Sequence, residues 1–131
     1  AVAKGPGSYT GLRIATSTAK GLCLAIEKPL IAINTLEAMV LQVADFYEKS
    51  FLFCPMLDAR RMEVYCALYD SNLNCLQNTE AKIIDENSFI DSLSNNSIVF
   101  FGDGATKCKS IFGENKNAHF INKNISLSMG R

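Results

Sequence analysis

The stretch Lys4–Ile26 reads KGPGSYTGLRIATSTAKGLCLAI and indicates the fold class. Its first glycines permit positive φ, and either Ser8 or Thr10 can cap a following helix. The apolar spacing predicts that this helix runs over about 9–26 and ends before Pro29. The residues before the loop read as the end of a strand. A strand, a tight glycine loop and a helix in that order predict an α/β layer.

Two faces of the predicted helix differ in side-chain size. Six residues recur at helical spacing on the apolar face: Leu12, Ala15, Ala19, Leu22, Cys23 and Ile26. The second face carries mostly small residues: Ile14, Ser17, Thr18, Gly21 and Ala25. Small side chains let a neighbouring element approach closely. Two interpretations stay open at this point, tight packing on the chain's own sheet and docking of a partner.

Further apolar patterns predict an alternation of strands and helices along the rest of the chain. The predicted elements are a buried strand 30–33, a helix 36–47 capped by Asn34-Thr35, a hairpin of strands 51–57 and 62–69 with one buried face, a strand 80–84, a helix 86–93, a strand 98–101, a helix 105–112, a strand 118–121 and a helical start at 126–131. The predicted domains are 1–49, the remainder of an N-terminal α/β domain, and 50–131, a second α/β domain led by the hairpin and truncated at its C-terminus.

Composition excludes several classes of protein. The chain has 131 residues, of which 48% are hydrophobic, too many for a disordered chain. Its 13 basic and 13 acidic residues cancel, so unaided binding of nucleic acid is not expected. No apolar run would span a bilayer and no signal peptide is recognisable. We expect a cytoplasmic protein without membrane contact.

The cysteines and the histidine argue against a metal or disulfide framework. The five cysteines are odd in number and include no CxxC pair, so we expect buried free thiols. His119 is the one histidine and cannot form a paired-histidine metal site, so it is predicted to be a partly buried or surface residue. No serine, cysteine or threonine has a plausible catalytic histidine and carboxylate. The loop 5–11 matches neither a Walker A loop nor a dinucleotide fingerprint, which favours a structural turn.

The pattern as a whole resembles a known family. Residues 5–14, GPGSYTGLRI, are followed by Thr18-Ala19-Lys20-Gly21-Leu22, by Pro29-Leu30 and by Asn34-Thr35-Leu36-Glu37-Ala38. DARRMEVY at 58–65 and GDGA at 102–105 continue the pattern in the same order. This series closely resembles the bacterial TsaB (YeaZ) family, which is related to the TsaD or M22 glycoprotease-like proteins.

The resemblance implies a fold and a function. The fold would be the two-domain, actin/Hsp70-like (ribonuclease H-like) ATPase α/β fold, with the N-terminal domain incomplete in this chain. The function would be that of a non-catalytic subunit in the complex that forms N6-threonylcarbamoyladenosine at position 37 of tRNAs reading A-starting codons. The implied partners are a TsaD-like catalytic subunit and a TsaE-like ATPase, with tRNA bound only through the complex and a homodimer possible in isolation. No cofactor, metal or catalytic residue is expected.

The family's interface is helical and belongs to the first domain, which points to one face of the helix 9–26. We call this set the partner face: Tyr9, Leu12, Arg13, Ser17, Thr18, Lys20, Gly21 and Leu24.

The family's nucleotide site would include two further loops, which we call the vestigial loops. The first contains Asp58, Arg60 and Arg61 but no glycine, so close approach to a phosphate is disfavoured. The second is Gly102-Asp103-Gly104, where Asp103 is expected to cap the next helix. The alternatives are an ATP-binding or ATP-hydrolysing enzyme of the same superfamily and, with less support, an M22-type glycoprotease.

Overall fold

The computed structural model describes residues 1–121, which form two separate sheets. The smaller sheet pairs β1 (Val2–Gly5) with β2 (Ala32–Asn34) in parallel. The crossover between them contains α1 (Tyr9–Ala25). Parallel neighbours need such a crossover, so the strand, loop and helix of the opening stretch form the expected unit.

The larger sheet has five strands in the order β5-β4-β3-β6-β7. β3, β4 and β5 form an antiparallel meander, and β6 and β7 run parallel to β3. The elements are β3 (Leu52–Asp58), β4 (Glu63–Tyr69), β5 (Cys75–Ile83), α3 (Ile90–Asn95), β6 (Ile98–Phe101), α4 (Ala105–Phe112) and β7 (Ala118–Phe120); α2 (Thr35–Leu41) and a 3-10 helix (Ala44–Phe46) precede them.

Strand alternation divides the core into two layers. On one face of the sheet, Cys54 and Phe100 pack with residues of α3 and α4. On the other face, Phe53 and Val99 pack with residues of α2. Successive strand residues point to opposite faces, so β3 and β6 contribute to both layers. The α2 helix also contacts β1 and β2 and therefore joins the small sheet to the large one.

The predicted helix 36–47 is wrong at its C-terminal end. α2 ends at Leu41, because the next N–H groups bond three residues back, from Gln42 to Met39 and from Val43 to Val40. Val43 stays buried, whereas Phe46 is 84% exposed instead of continuing the apolar face.

The predicted helix 86–93 is displaced to 90–95. The Asp85 carboxylate accepts hydrogen bonds from the N–H of Asn87 and the hydroxyl of Ser88. This side-chain turn occupies residues 85–88, and Phe89 then adopts a left-handed conformation with φ 65°. α3 can therefore begin only after this turn and after Phe89.

Three strand predictions also need correction. β5 begins at Cys75 rather than near residue 80, since Tyr69 and Leu68 already pair with it. β4 has one buried face only at its start, because Ala67 and Tyr69 are covered by the α2 layer. β2 is exposed rather than buried, since β1 is the one strand that pairs with it among residues 1–121.

The remaining predictions agree with the structure or stay predictions. β6 and α4 have the predicted bounds, and β7 differs from its prediction by one residue. All five cysteines are free, but Cys23 is half-buried and Cys75 is exposed, so only three are the buried thiols expected. The domain boundary at 49/50 stays a prediction, and the helical start at 126–131 lies outside the described residues.

Candidate functional site

α1 is anchored at its N-terminus and lies loosely on the small sheet. The Ser8 hydroxyl accepts a hydrogen bond from the Gly11 N–H at 3.3 Å, so Ser8 rather than Thr10 is the cap. No residue of α1 is fully buried within the described part of the chain. The half-buried residues form a single stripe: Leu12, Thr16, Ala19 and Cys23. Ala15, Leu22 and Ile26 of the predicted apolar face are exposed.

The structure places the eight residues of the partner face on α1 and leaves seven of them exposed. Leu12 is the exception, because its Cδ1 lies 3.2 Å from where a Cβ on Gly5 would stand. Leu24 is 81% exposed, and a Cβ on Gly21 would meet no atom within 4 Å. Among residues 1–121, the small-residue face of α1 therefore has no sheet packed against it.

A cation–π contact fixes the first turn of this surface. The Arg13 guanidinium lies 5.3 Å from the centre of the Tyr9 ring and donates a hydrogen bond to its hydroxyl at 3.3 Å. These residues are one helical turn apart, the spacing at which side chains on a helix meet. The pair presents a flat aromatic surface with a positive charge above it.

The first vestigial loop is bound to α4 through the Asp58 carboxylate. The Asp58 carboxylate accepts hydrogen bonds from the Lys107 ammonium and from the Arg60 N–H at 2.8 Å. The Lys107 hydrogen bond, aided by the Arg60 N–H, lowers the pKa of Asp58 below its usual value. Lys107 also donates to the Glu63 carbonyl. The Asp58 charge at the β3–β4 turn is thus matched within the protein.

Asp103 does not cap α4, contrary to the sequence prediction. Its carboxylate accepts the Asp58 N–H at 2.9 Å, while α4 begins after Gly104 without a side-chain cap. The hairpin offers an unpaired backbone N–H across the loop, and the carboxylate satisfies it.

Both glycines of the second loop are needed for contact with β3. Gly102 has φ +99°, and a Cβ there would lie 2.2 Å from the Met56 carbonyl oxygen. A Cβ on Gly104 would lie 2.9 Å from the Leu57 carbonyl carbon. The space that glycine leaves open in this loop is therefore occupied by the backbone of β3.

Arg60 and Arg61 lie exposed at the hairpin tip with φ values of 83° and 47°. Left-handed backbone is unusual for arginine, and no signal in the sequence indicated it. The Asp58 carboxylate, which holds the Arg60 N–H, explains the first of them.

A polar link between the two sheets was not predicted from the sequence. Asn34 caps α2 through its Oδ1, which accepts the N–H groups of Leu36 and Glu37, and its Nδ2 donates to the Thr79 hydroxyl at 3.3 Å. Burial raises the pKa of Tyr69 to about 12, and the Thr79 side chain partly offsets this rise. The cap was predictable from Asn34-Thr35, whereas the link to β5 depends on the tertiary fold.

This link lies beside a cleft of about 500 Å³ between the loop after β1 and strands β4 and β5. Lys4, Tyr9, Tyr65 and Glu80 contribute polar groups to its wall. Two residues of the partner face, Tyr9 and Leu12, also line this cleft.

His119 is half-buried, as predicted, and its ring packs edge-on against Phe51 with centroids 5.1 Å apart. Among residues 1–121, no three His, Cys, Asp or Glu side chains are grouped to hold a metal ion. Within the same range, no helix has the length and hydrophobicity needed to cross a membrane.

Comparison with known proteins places the chain in a family. A family model described as TsaD, tRNA N6-adenosine threonylcarbamoyltransferase, matches residues 1–126. The chain belongs to the TsaD family. Among curated TsaD-family relatives, the TsaB protein of Bacillus subtilis is 44% identical over 68 residues, which are 52% of this chain and 28% of that protein. TsaB of Escherichia coli is 38% identical over 89 residues, 66% of this chain and 38% of that protein.

A transferase is also among the similar TsaD-family proteins. The tRNA N6-adenosine threonylcarbamoyltransferase of a Wolbachia from Brugia malayi is 42% identical over 57 residues, 44% of this chain and 17% of that protein. The chain spans well under half the length of these three relatives. The several TsaB matches confirm the predicted TsaB (YeaZ) resemblance.

Solved structures support the same fold. A Pseudomonas aeruginosa protein described as similar to peptidase YeaZ superposes with a TM-score of 0.68 over 83% of this chain and 51% of its own, at 23% identity. YeaZ from the same species superposes with a TM-score of 0.54 over 63% and 42% of the two chains, at 25% identity. The α/β class and the TsaD-like fold are confirmed.

Proposed function

We propose that this chain is part of a TsaB-type subunit that acts in tRNA threonylcarbamoyladenosine biosynthesis by binding a TsaD-like catalytic subunit. The observation that carries the proposal is the exposed partner face of α1, in a chain whose relatives include proteins named for this pathway. Leu24 and Tyr9 offer apolar surface, and Gly21 leaves room for a close helix contact. A helix whose exposed side packs against no other element within residues 1–121 is suited to pack against a partner.

A non-catalytic role is supported by the vestigial loops. The Asp58 carboxylate binds the Lys107 ammonium, and the Asp103 carboxylate accepts the Asp58 N–H. The absence of a side chain at Gly102 and Gly104 lets this loop pack closely against β3. A nucleotide phosphate would need the same backbone groups and the same space, so we propose that this subunit does not hydrolyse ATP.

The partners and the location follow from the same proposal. The tRNA is contacted through the assembled complex, because the chain's basic and acidic residues cancel. A TsaE-like ATPase joins the complex, a homodimer forms in the partner's absence, and the complex works in the cytoplasm on tRNAs reading A-starting codons.

Reconstitution tests the proposal. The full-length protein is mixed with the TsaD-like subunit, the TsaE-like ATPase, tRNA and the threonylcarbamoyl donor, and the modified adenosine is measured in digested tRNA. We expect modification that stops when this subunit is omitted. Modification at the same rate without it would contradict the proposed role. Calorimetric titration with ATP·Mg²⁺ is expected to show no binding to the subunit alone. Clear ATP binding, with hydrolysis that is lost when Gly102 is changed, would contradict the non-catalytic assignment.

A further inference from the structure

The charges of α1 all have one sign. Its sequence contains Arg13 and Lys20 and no acidic residue. Both side chains are exposed, and the two residues are seven positions apart, which is two helical turns or about 10 Å along one side. Neither lies in the last turn, where the helix dipole would favour a cation. The helix dipole therefore does not account for them.

Within residues 1–121, neither of these two charges is paired with a carboxylate. The ion pairs found within residues 1–121 join Lys82 to Glu80 and Lys107 to Asp58. Arg13 contacts the neutral Tyr9 ring instead.

Other charges near α1 do not compensate them. Glu27 lies beyond the end of α1, and Lys4 adds a further positive charge to the cleft that Tyr9 lines. Glu80 lines the same cleft, but Gln77 and Lys82 hold its carboxylate. The partner face is thus a positively charged surface on a chain with no net charge.

We propose that the partner face recognises an acidic helix of the TsaD-like subunit, with carboxylates about two turns apart opposite Arg13 and Lys20. This inference rests on the proposed function and specifies the chemistry of the partner. Leu24 and the open surface at Gly21 make the apolar contact on the C-terminal side of Lys20. Charge complementarity sets the register of the helices and speeds their association.

The same charges make a second copy of this chain a weaker partner than the TsaD-like subunit, so a homodimer forms only in that subunit's absence. Two partner faces packed together would bring two Arg13 and two Lys20 side chains into one interface with no described acid between them. Like charges across an interface disfavour the wrong partner. Added salt therefore weakens the complex with the TsaD-like subunit and strengthens self-association.

Charge reversal tests the inference in the full-length protein. The double variant Arg13→Glu, Lys20→Glu is titrated calorimetrically against the TsaD-like subunit at about 0.1 M and about 1 M salt, where screening differs strongly. The control is Lys49→Glu, Lys116→Glu, which makes the same charge change at exposed positions outside α1. Circular dichroism checks that both variants fold.

We expect the reversal to weaken binding about tenfold or more and to remove its salt dependence, with the control within about twofold of the wild type. Equal binding by the two double variants, with wild-type binding intact, would overturn the acidic-helix inference and leave the proposed function standing. Absence of wild-type binding under both salt conditions would overturn the proposed function and the inference with it.

Discussion

Gly102 shows how one residue ties the second vestigial loop to the sheet. A Cβ at this position would lie 2.2 Å from the Met56 carbonyl oxygen and 2.8 Å from the Met39 side chain, and its φ is +99°. We expect Gly102→Ala to lower the free energy of unfolding by about 3 kcal/mol, because both strain and overlap must be relieved. Urea denaturation measures the change.

The control for Gly102 is Gly21, an exposed helical glycine where an added Cβ would meet no atom within 4 Å. Gly21→Ala should raise the free energy of unfolding by up to about 1 kcal/mol, since alanine favours helix. Equal destabilisation by the two changes would contradict the packing role assigned to Gly102.

Asp58 makes the stability of the loop pair depend on pH. The Lys107 ammonium and the Arg60 N–H lower the pKa of Asp58 in the folded state. The ionised carboxylate therefore stabilises the fold above the unfolded pKa of about 4, and this contribution is lost as the pH falls through the lower folded value. We expect Asp58→Asn to be less stable than wild type at about pH 6 and the difference to narrow toward about pH 2.

Urea denaturation across this pH range checks the Asp58 prediction. Asp45→Asn serves as the control, because the exposed Asp45 carboxylate has no hydrogen-bond or ion-pair partner among the described residues. A difference between wild type and Asp58→Asn that stays constant with pH would contradict the role given to the charge.

At the scale of elements, Asn34 links the end of β2, the start of α2 and strand β5. Asn34→Ala removes two cap bonds and the bond to Thr79, and should lower the free energy of unfolding by about 1 kcal/mol. Asn34→Asp keeps an oxygen that caps α2 but loses the donor to Thr79. Near-wild-type stability of Asn34→Asp in urea denaturation would assign the effect to the cap, whereas a loss equal to that of Asn34→Ala would contradict that assignment.

Elements with strong local patterns were predictable, and those set by side-chain turns were not. The run Ile98–Phe101 is apolar throughout and the GDGA loop precedes a helical pattern, so β6 and α4 have the predicted bounds. The start of α3 depends on Asp85 and Ser88 bonding each other, which competes with the helix without changing its apolar spacing. Asp103 similarly accepts an N–H across the loop instead of capping the nearer helix end.

For the whole molecule, the sequence predicted which residues lie together but not their surroundings. The partner face follows from helical spacing and the family pattern, and seven of its eight residues are exposed on α1. The exposure of β2 and of Leu22 could not be predicted, because each depends on how many strands and helices surround α1. The contact between the two vestigial loops needed the β3–β6 pairing, a contact between distant parts of the chain.

Calorimetric titration of the full-length protein against the TsaD-like subunit, for wild type and for Gly21→Leu, decides whether α1 is the docking surface. A leucine at this open helical position leaves the fold intact but fills the space into which a partner helix would pack. We expect tight binding by the wild type and binding weakened about tenfold or more by Gly21→Leu. Equal affinities of the two proteins would contradict the assignment of α1 as the docking surface.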